Sequence, residues 1–232
     1  MTSDTGADAN LRPNLAAERL HLGCGLNAPA DWLNVDGSFQ AVFARWPRTK
    51  RALVRLRIYP KRQAEIPWPS NVMRLDLRKP LPFETNRFTA LYSSHTFEHL
   101  YRDESAALAR ECYRVLKVGG ICRIVVPDLG AAIGQYNAAS GDSAADVLLD
   151  QLLLHPRSSG QGALGIYHRF MNIHNHKWMY DGNSLGTLLA NSGFKDVRIY
   201  HSAHGELSGL KAIEDPNRIE NGAGVAAEGK KL

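Results

Sequence analysis

Three groups of residues in this chain have types and spacings that could do chemistry. The first is Gly23-Cys24-Gly25, which follows the short apolar run Leu20-His21-Leu22. Glycines there let the backbone turn sharply and come close to a ligand, where a Cβ would intrude. Exposed N–H groups on such a turn suit a carboxylate or a ribose hydroxyl. Asp36 closes a second apolar run, Leu33-Asn34-Val35. An acid at the C-terminal end of a second strand commonly accepts hydrogen bonds from ribose hydroxyls. Together they point to a nucleoside-containing cofactor. Cys24 reads as a small residue in a tight turn, not as a nucleophile.

The second group is His95-Thr96-Phe97-Glu98-His99, at the end of the run Phe88 to His95. A histidine with an ordinary pKa near ~6.5 is a natural general base at neutral pH. His95 is therefore the candidate catalytic base, with a structural histidine bonding a neighbouring loop as the competing reading. Glu98 and His99 read as fixing the loop and the helix that follows. The third group is His168, His174 and His176, beside Arg169 and Lys177. These are candidate acceptor-binding residues, and the two cations suit a phosphate or carboxylate on the acceptor. The spacing of His174 and His176 permits a metal on a strand. No nearby acid or cysteine completes the set, so no metal site is expected. Trp178 and Tyr180 read as packing residues.

The elements that must position these residues follow from apolar patterning. Leu20–Leu22, Leu33–Asp36, Val72–Leu77, Phe88–His95 and Ile121–Val126 read as strands, the last a buried parallel one with Arg123 inside it. Asp103 is expected to cap a helix running through Leu116 and ended by Gly119-Gly120. A further helix is expected over Val147–Leu154. Another, capped by Asp181 or Asn183, carries Leu185, Leu188 and Leu189 and ends at Gly193. Val197–Tyr200 and Gly224–Glu228 read as a final antiparallel pair. Strands alternating with helices of this length argue for a doubly wound α/β sheet. Only ten residues separate Gly25 from Asp36, and Pro29 among them opposes a helix. A dinucleotide fingerprint needs a full helix there, so a nicotinamide-dependent oxidoreductase fits poorly.

Totals bound the rest. At 232 residues one domain suffices, and 44% hydrophobic with 22% charged residues is a globular composition. No apolar run approaches the ~20 residues of a membrane span. Residues 1–18 are expected to be a disordered tail, acid-bearing and unlike a signal peptide, and 19–232 one domain. Three scattered cysteines suit reduced thiols in a cytoplasmic protein. Between Gly37 and Ala64 lie eight basic residues (Arg45, Arg48, Lys50, Arg51, Arg55, Arg57, Lys61, Arg62) and no acid. Taking these eight from the net charge of +5 leaves −3, so the basic character is local. The segment reads as a basic amphipathic insertion at about residues 40–70, with Pro47 interrupting its helical spacing. It is a solvated helix, or residues 45–62 meet an anionic membrane surface or a phosphorylated substrate. Stacking aromatics are few, which ranks nucleic acid lower.

The order of these motifs resembles a known family. Leu20 to Gly25, Trp32 to Asp36, Leu75-Asp76-Leu77 with Lys79 to Phe83, Ser94-His95 with Glu98-His99-Leu100, Glu111 to Lys117 with Gly119-Gly120, and Val125 to Leu129 come as they do in class I S-adenosylmethionine-dependent methyltransferases. The chain is similar, more narrowly, to a small bacterial type 11 branch often associated with sugar or cell-envelope biosynthesis. The likeness spans roughly residues 19 to 129, with a weaker echo from His176 to Phe194. It implies a Rossmann-like seven-stranded sheet with the last strand antiparallel, and S-adenosyl-L-methionine as cofactor. Gly23, Cys24 and Gly25 would line its methionine end, Asp36 would bind the ribose, and Asp76 with the Leu77 backbone would sit against the adenine. Ser93, Ser94 and His95 would border the reacting centre. The implied reaction is O-methylation of a small-molecule or sugar acceptor, phosphorylated or lipid-linked given the basic insertion. A non-catalytic binding or assembly protein with the same fold is the alternative.

Overall fold

The computed structural model describes residues 12–38, 41, 46–56, 59, 61–139, 141, 143–153 and 175–232. Four short parallel strands open the chain's sheet: β1 (Arg19–Leu22), β2 (Leu33–Asp36), β3 (Val72–Arg74) and β4 (Phe88–Ser94). The long β5 (Leu116–Pro127) runs parallel to β4, and β6 (Lys195–Tyr200) and β7 (Gly224–Lys230) complete seven strands. Their order is β3-β2-β1-β4-β5-β7-β6, with β7 antiparallel to both neighbours. This is the expected doubly wound sheet with an antiparallel last strand. The order reverses between β1 and β4. Crevices at such switch points, outside the C-terminal strand ends, are where ligands bind in open α/β sheets. Gly23 and His95 stand at those two ends.

Alternation along the strands divides the core. Cys122, Ile124 and Val126 of β5 face a layer containing α3 (Arg102–Val115) and α5 (Gly182–Asn191), with Leu108, Cys112, Leu185 and Leu189 buried between them. Ile121 and Val125 face the other side, where Trp32, Tyr92, Leu207, Leu210 and Ile213 gather. Arg123 shares that second face and is fully buried. Its guanidinium grips Glu214 at 2.6 Å through two nitrogens and Glu228 at 3.1 Å, and donates to the carbonyls of Ser202 and His204. The arginine inside the apolar run is thus the clamp that holds the 202–214 segment on the sheet.

Several elements differ from expectation. Asp103 does not cap α3: the helix begins at Arg102, and Glu104 accepts the Tyr101 N–H at 2.9 Å. Nor do Gly119 and Gly120 end it, since Leu116 is already extended and pairs with Phe88. Gly119 sits in β5 with φ +81°, and a Cβ on Gly120 would meet the Thr89 carbonyl at 2.9 Å. Both glycines serve a strand irregularity, not a helix cap. Pro47 does not interrupt a helix but starts α1 (Pro47–Arg55), at a position where its missing N–H costs nothing. A short α2 (Lys61–Ala64) follows. β3 stops at Arg74, short of Leu77. Packing also begins before Arg19: Ala17 is buried, and the Glu18 carbonyl accepts Thr89 N–H at 2.7 Å. Among the described residues no helix is long and apolar enough to cross a membrane.

Candidate functional site

The glycine turn is folded back on β2. Gly23 and Cys24 both donate their N–H to the Val35 carbonyl, at 2.8 and 3.1 Å. Gly23 and Gly25 take φ of +66° and +55°, a region that side chains disfavour. The two glycines have different reasons. A Cβ on Gly23 would lie 1.8 Å from Thr96 Oγ1, whereas one on Gly25 would meet nothing within 4 Å among the described residues. Gly23 therefore lets the loop after β4 close on the turn after β1. Asp36 ties the other side: Oδ2 accepts Gly25 N–H at 2.9 Å and Oδ1 accepts Ser38 N–H at 2.7 Å. Each oxygen keeps lone pairs for further donors. Cys24 is buried, and burial, with the Asp36 carboxylate beside it, pushes its thiol well above the ordinary range. That opposes a nucleophilic role.

The Asp36 carbonyl accepts Leu75 N–H at 3.1 Å, which brings Asp76 to the same edge. Arg78 grips the Asp76 carboxylate with Nε at 2.8 Å and Nη2 at 2.9 Å and holds it below the ordinary carboxylate range. Leu77 is buried in the core. At the end of β4, Ser93 and Ser94 are buried, and among the described residues Ser93 Oγ has no hydrogen-bond partner. Thus a glycine turn closed by Thr96, an acid with lone pairs to spare and an unpartnered serine hydroxyl stand at the C-terminal ends of β1, β2 and β4. These residues fit the cofactor that the sequence implies.

His95 turns out of β4 with φ +50°, a conformation that costs ~1–3 kcal/mol in a non-glycine residue. Its N–H donates to Val125 O at 2.9 Å, and its Nδ1 lies 3.3 Å from Glu98 Oε1. The ring's other nitrogen is 3.4 Å from the Arg218 carbonyl. The side chain is about a quarter exposed (26%), whereas that of Glu98 is fully buried. Glu98 is more than a loop fastener, although its backbone does that work: its carbonyl accepts the N–H groups of Lys177 (2.6 Å) and Trp178 (3.2 Å). This brings His176 to the site, with its ring centroid 5.0 Å from that of His99. Burial holds His176 below the ordinary histidine range. His168, Arg169 and His174 lie outside the described residues, as do Arg45 and Arg57 of the basic insertion.

Sequence reasoning passed over Thr96, whose side chain closes on Gly23, and Arg218, whose carbonyl meets His95. It also passed over Asp128, which caps α4 (Leu129–Ala138) by accepting Gly130 N–H at 2.9 Å and lies 3.4 Å from His201 Nδ1. Only Asp128 carried a signal, standing after a proline at a strand end.

Residues 20–124 match a family model described as a methyltransferase domain. No curated protein matches the chain. Among solved structures, the chain is similar to a SAM-dependent methyltransferase from Archaeoglobus fulgidus (18% identity, 93% of this chain and 86% of that one, TM-score 0.49). It is also similar to one from Thermotoga maritima described as a possible histamine N-methyltransferase (16%, 93% and 82%, TM-score 0.47). A third is an S-adenosylmethionine-dependent methyltransferase from Mesorhizobium loti (14%, 96% and 93%, TM-score 0.47).

Proposed function

We propose that residues 20–124, which match a methyltransferase-domain family model, form a class I S-adenosylmethionine-dependent methyltransferase domain, and that the protein uses it to methylate an oxygen of a small polar acceptor, of the sugar type. The observation that carries this reading is the meeting of the Gly23–Gly25 turn, Asp36 and His95 at neighbouring C-terminal strand ends.

S-adenosylmethionine supplies a methyl group already activated on a sulfonium centre. The chain's own residues then have three tasks. The glycine turn and Ser93 border the amino-acid end, Asp36 accepts from the ribose hydroxyls, and the Asp76 edge borders the base. His95, oriented through Nδ1 by Glu98, turns Nε2 from the Arg218 carbonyl to the acceptor hydroxyl and takes its proton there. Such general-base help contributes ~10²–10⁴ in rate. Holding the acceptor oxygen against the methyl group supplies a further ~7–11 kcal/mol through orientation.

The basic insertion leaves from the same end of β2 as Asp36. Arg48, Arg55 and Lys61 are exposed on it, with Trp46 (62% exposed) and Leu56 (67%) beside them. That combination suits phosphate, either on the acceptor or on an anionic lipid surface. Two arms separate these sources: co-sedimentation with anionic and neutral vesicles, and competition by a soluble sugar phosphate.

The test of the function uses S-adenosylmethionine carrying a labelled methyl group, with the full chain and fractionated metabolite extracts. A labelled product is expected with the wild type and lost in His95→Ala, while S-adenosylhomocysteine binding persists in that variant. Undiminished turnover in His95→Ala removes it as the base. Cofactor binding with no labelled product in any fraction favours a non-catalytic binding protein.

A further inference from the structure

Glu98, His99 and His176 make a cluster that the methyl-transfer reading leaves partly unexplained. Each offers one ligand atom, and the three atoms lie within 4.8 Å of one another. The segments carrying them are far apart in sequence but fastened together. Glu98 O accepts Lys177 and Trp178 N–H, His99 Nδ1 lies 3.4 Å from Asn175 O, and His176 N–H reaches Leu153 O at 3.1 Å.

The carboxylate of Glu98 is fully buried, and among the described residues neither of its oxygens takes a hydrogen bond. Among the described residues no lysine or arginine makes an ion pair with it; the only ion-pair contact is His95 Nδ1 at 3.3 Å. A buried carboxylate needs a counter-charge and donors, and is costly without them. His176 Nδ1 is likewise buried with no hydrogen-bond partner among the described residues.

We propose that Glu98, His99 and His176 bind a divalent transition-metal ion of the zinc type. Two imidazoles and one carboxylate are a donor set that zinc accepts, at bond lengths of ~2.0–2.2 Å. Imidazole donors favour zinc, cobalt, nickel and iron over magnesium or calcium. A tetrahedral site with such bonds sets neighbouring ligand atoms ~3.3–3.5 Å apart, so small side-chain rotations complete the closure. Three protein ligands leave a coordination position for an outside oxygen, water or an acceptor hydroxyl, next to His95. That last step rests on the methyl-transfer reading, but the binding of the ion does not. The sequence hid this site because the acid that completes it lies 78 residues before His176.

The test needs neither cofactor nor acceptor, so its failure is distinct from failure of the methyltransferase reading. The full chain, stripped by a chelator and dialysed, is titrated with Co²⁺ and read by visible absorption, followed by displacement with Zn²⁺. One Co²⁺ per chain is expected, with the intense bands of a four- or five-coordinate site that zinc abolishes. Glu98→Gln, His99→Ala and His176→Ala are each expected to weaken binding by more than about tenfold, while His201→Ala binds as the wild type does. Circular dichroism of each stripped variant identifies any that does not fold. A wild-type chain that takes up neither ion overturns the proposal. So does binding that folded Glu98, His99 and His176 variants retain in full.

Discussion

Asp36 Oδ2 accepts the N–H of Gly25 at 2.9 Å, joining the end of β2 to the turn that follows β1. The same carboxylate holds Ser38 through its other oxygen. One acid thus shapes the glycine turn and presents acceptors to whatever lies in it. A short linker between the two residues is sufficient because no helix has to be packed there. The Leu26–Asp31 connection is a loop whose Asn27 side chain donates to Ile213 O at 2.7 Å.

Substitution of the two turn glycines should give unequal results. Gly23→Ala drives a Cβ to 1.8 Å from Thr96 Oγ1 at positive φ, so the turn must open. Gly25→Ala meets only the backbone penalty, of ~1–2 kcal/mol. Calorimetry should show cofactor binding lost in Gly23→Ala, weakened about tenfold in Gly25→Ala, and partly restored in Gly23→Ala with Thr96→Gly. Equal loss in both single variants would contradict this account of the turn.

Removing the Arg123 side chain strands two buried carboxylates, Glu214 and Glu228. Breaking one partner out of a buried ionic group costs ~3–5 kcal/mol. Urea unfolding of Arg123→Leu should show a loss of that size. Changing Glu214 and Glu228 to Gln in the same chain should return part of it. A loss under about 1 kcal/mol would mean that the buried pair is not the clamp described.

His21 gives the chain an acid limit. Burial among Trp32 and Tyr92, with the charge of Arg218, lowers its pKa from 6.5 to about 3. The native ring therefore stays neutral where the unfolded ring takes a proton. Stability from this group is complete above pH 6.5 and falls as pH drops from there toward about 3. At pH 5 the expected loss is ~2 kcal/mol. Unfolding free energies measured from pH 7.5 to 4 should show this slope, and His21→Phe should flatten it. An unchanged slope in the variant would assign the acid sensitivity elsewhere.

The sheet was legible because its strands carry dense apolar runs and its helices a clear periodicity. The errors arose where one residue type serves two geometries. Gly119-Gly120 looks like a helix cap, yet these glycines ease a strand irregularity under the Thr89 carbonyl. Pro47 looks like a breaker and is a helix start. Arg123 reads as part of its buried strand, but not as a clamp, because its partners Glu214 and Glu228 are 91 and 105 residues away. The first half of the proposed cofactor site is local in sequence and could be read from Gly23 to Asp36. The His95–Glu98 contact is local too, but the burial that gives Glu98 its significance comes from packing. His176 joins it only through the long return of the chain, which no spacing rule reveals.

The central claim is that Gly23, Gly25 and Asp36 form the binding site of S-adenosylmethionine. Isothermal calorimetry of the full chain with S-adenosylmethionine, S-adenosylhomocysteine and NAD tests it directly. Saturable binding of the first two at one site, none of NAD, and loss of binding in a folded Asp36→Ala variant is the predicted result. Failure of the wild-type chain to bind either methyl-cofactor species, or full binding in Asp36→Ala, would contradict it.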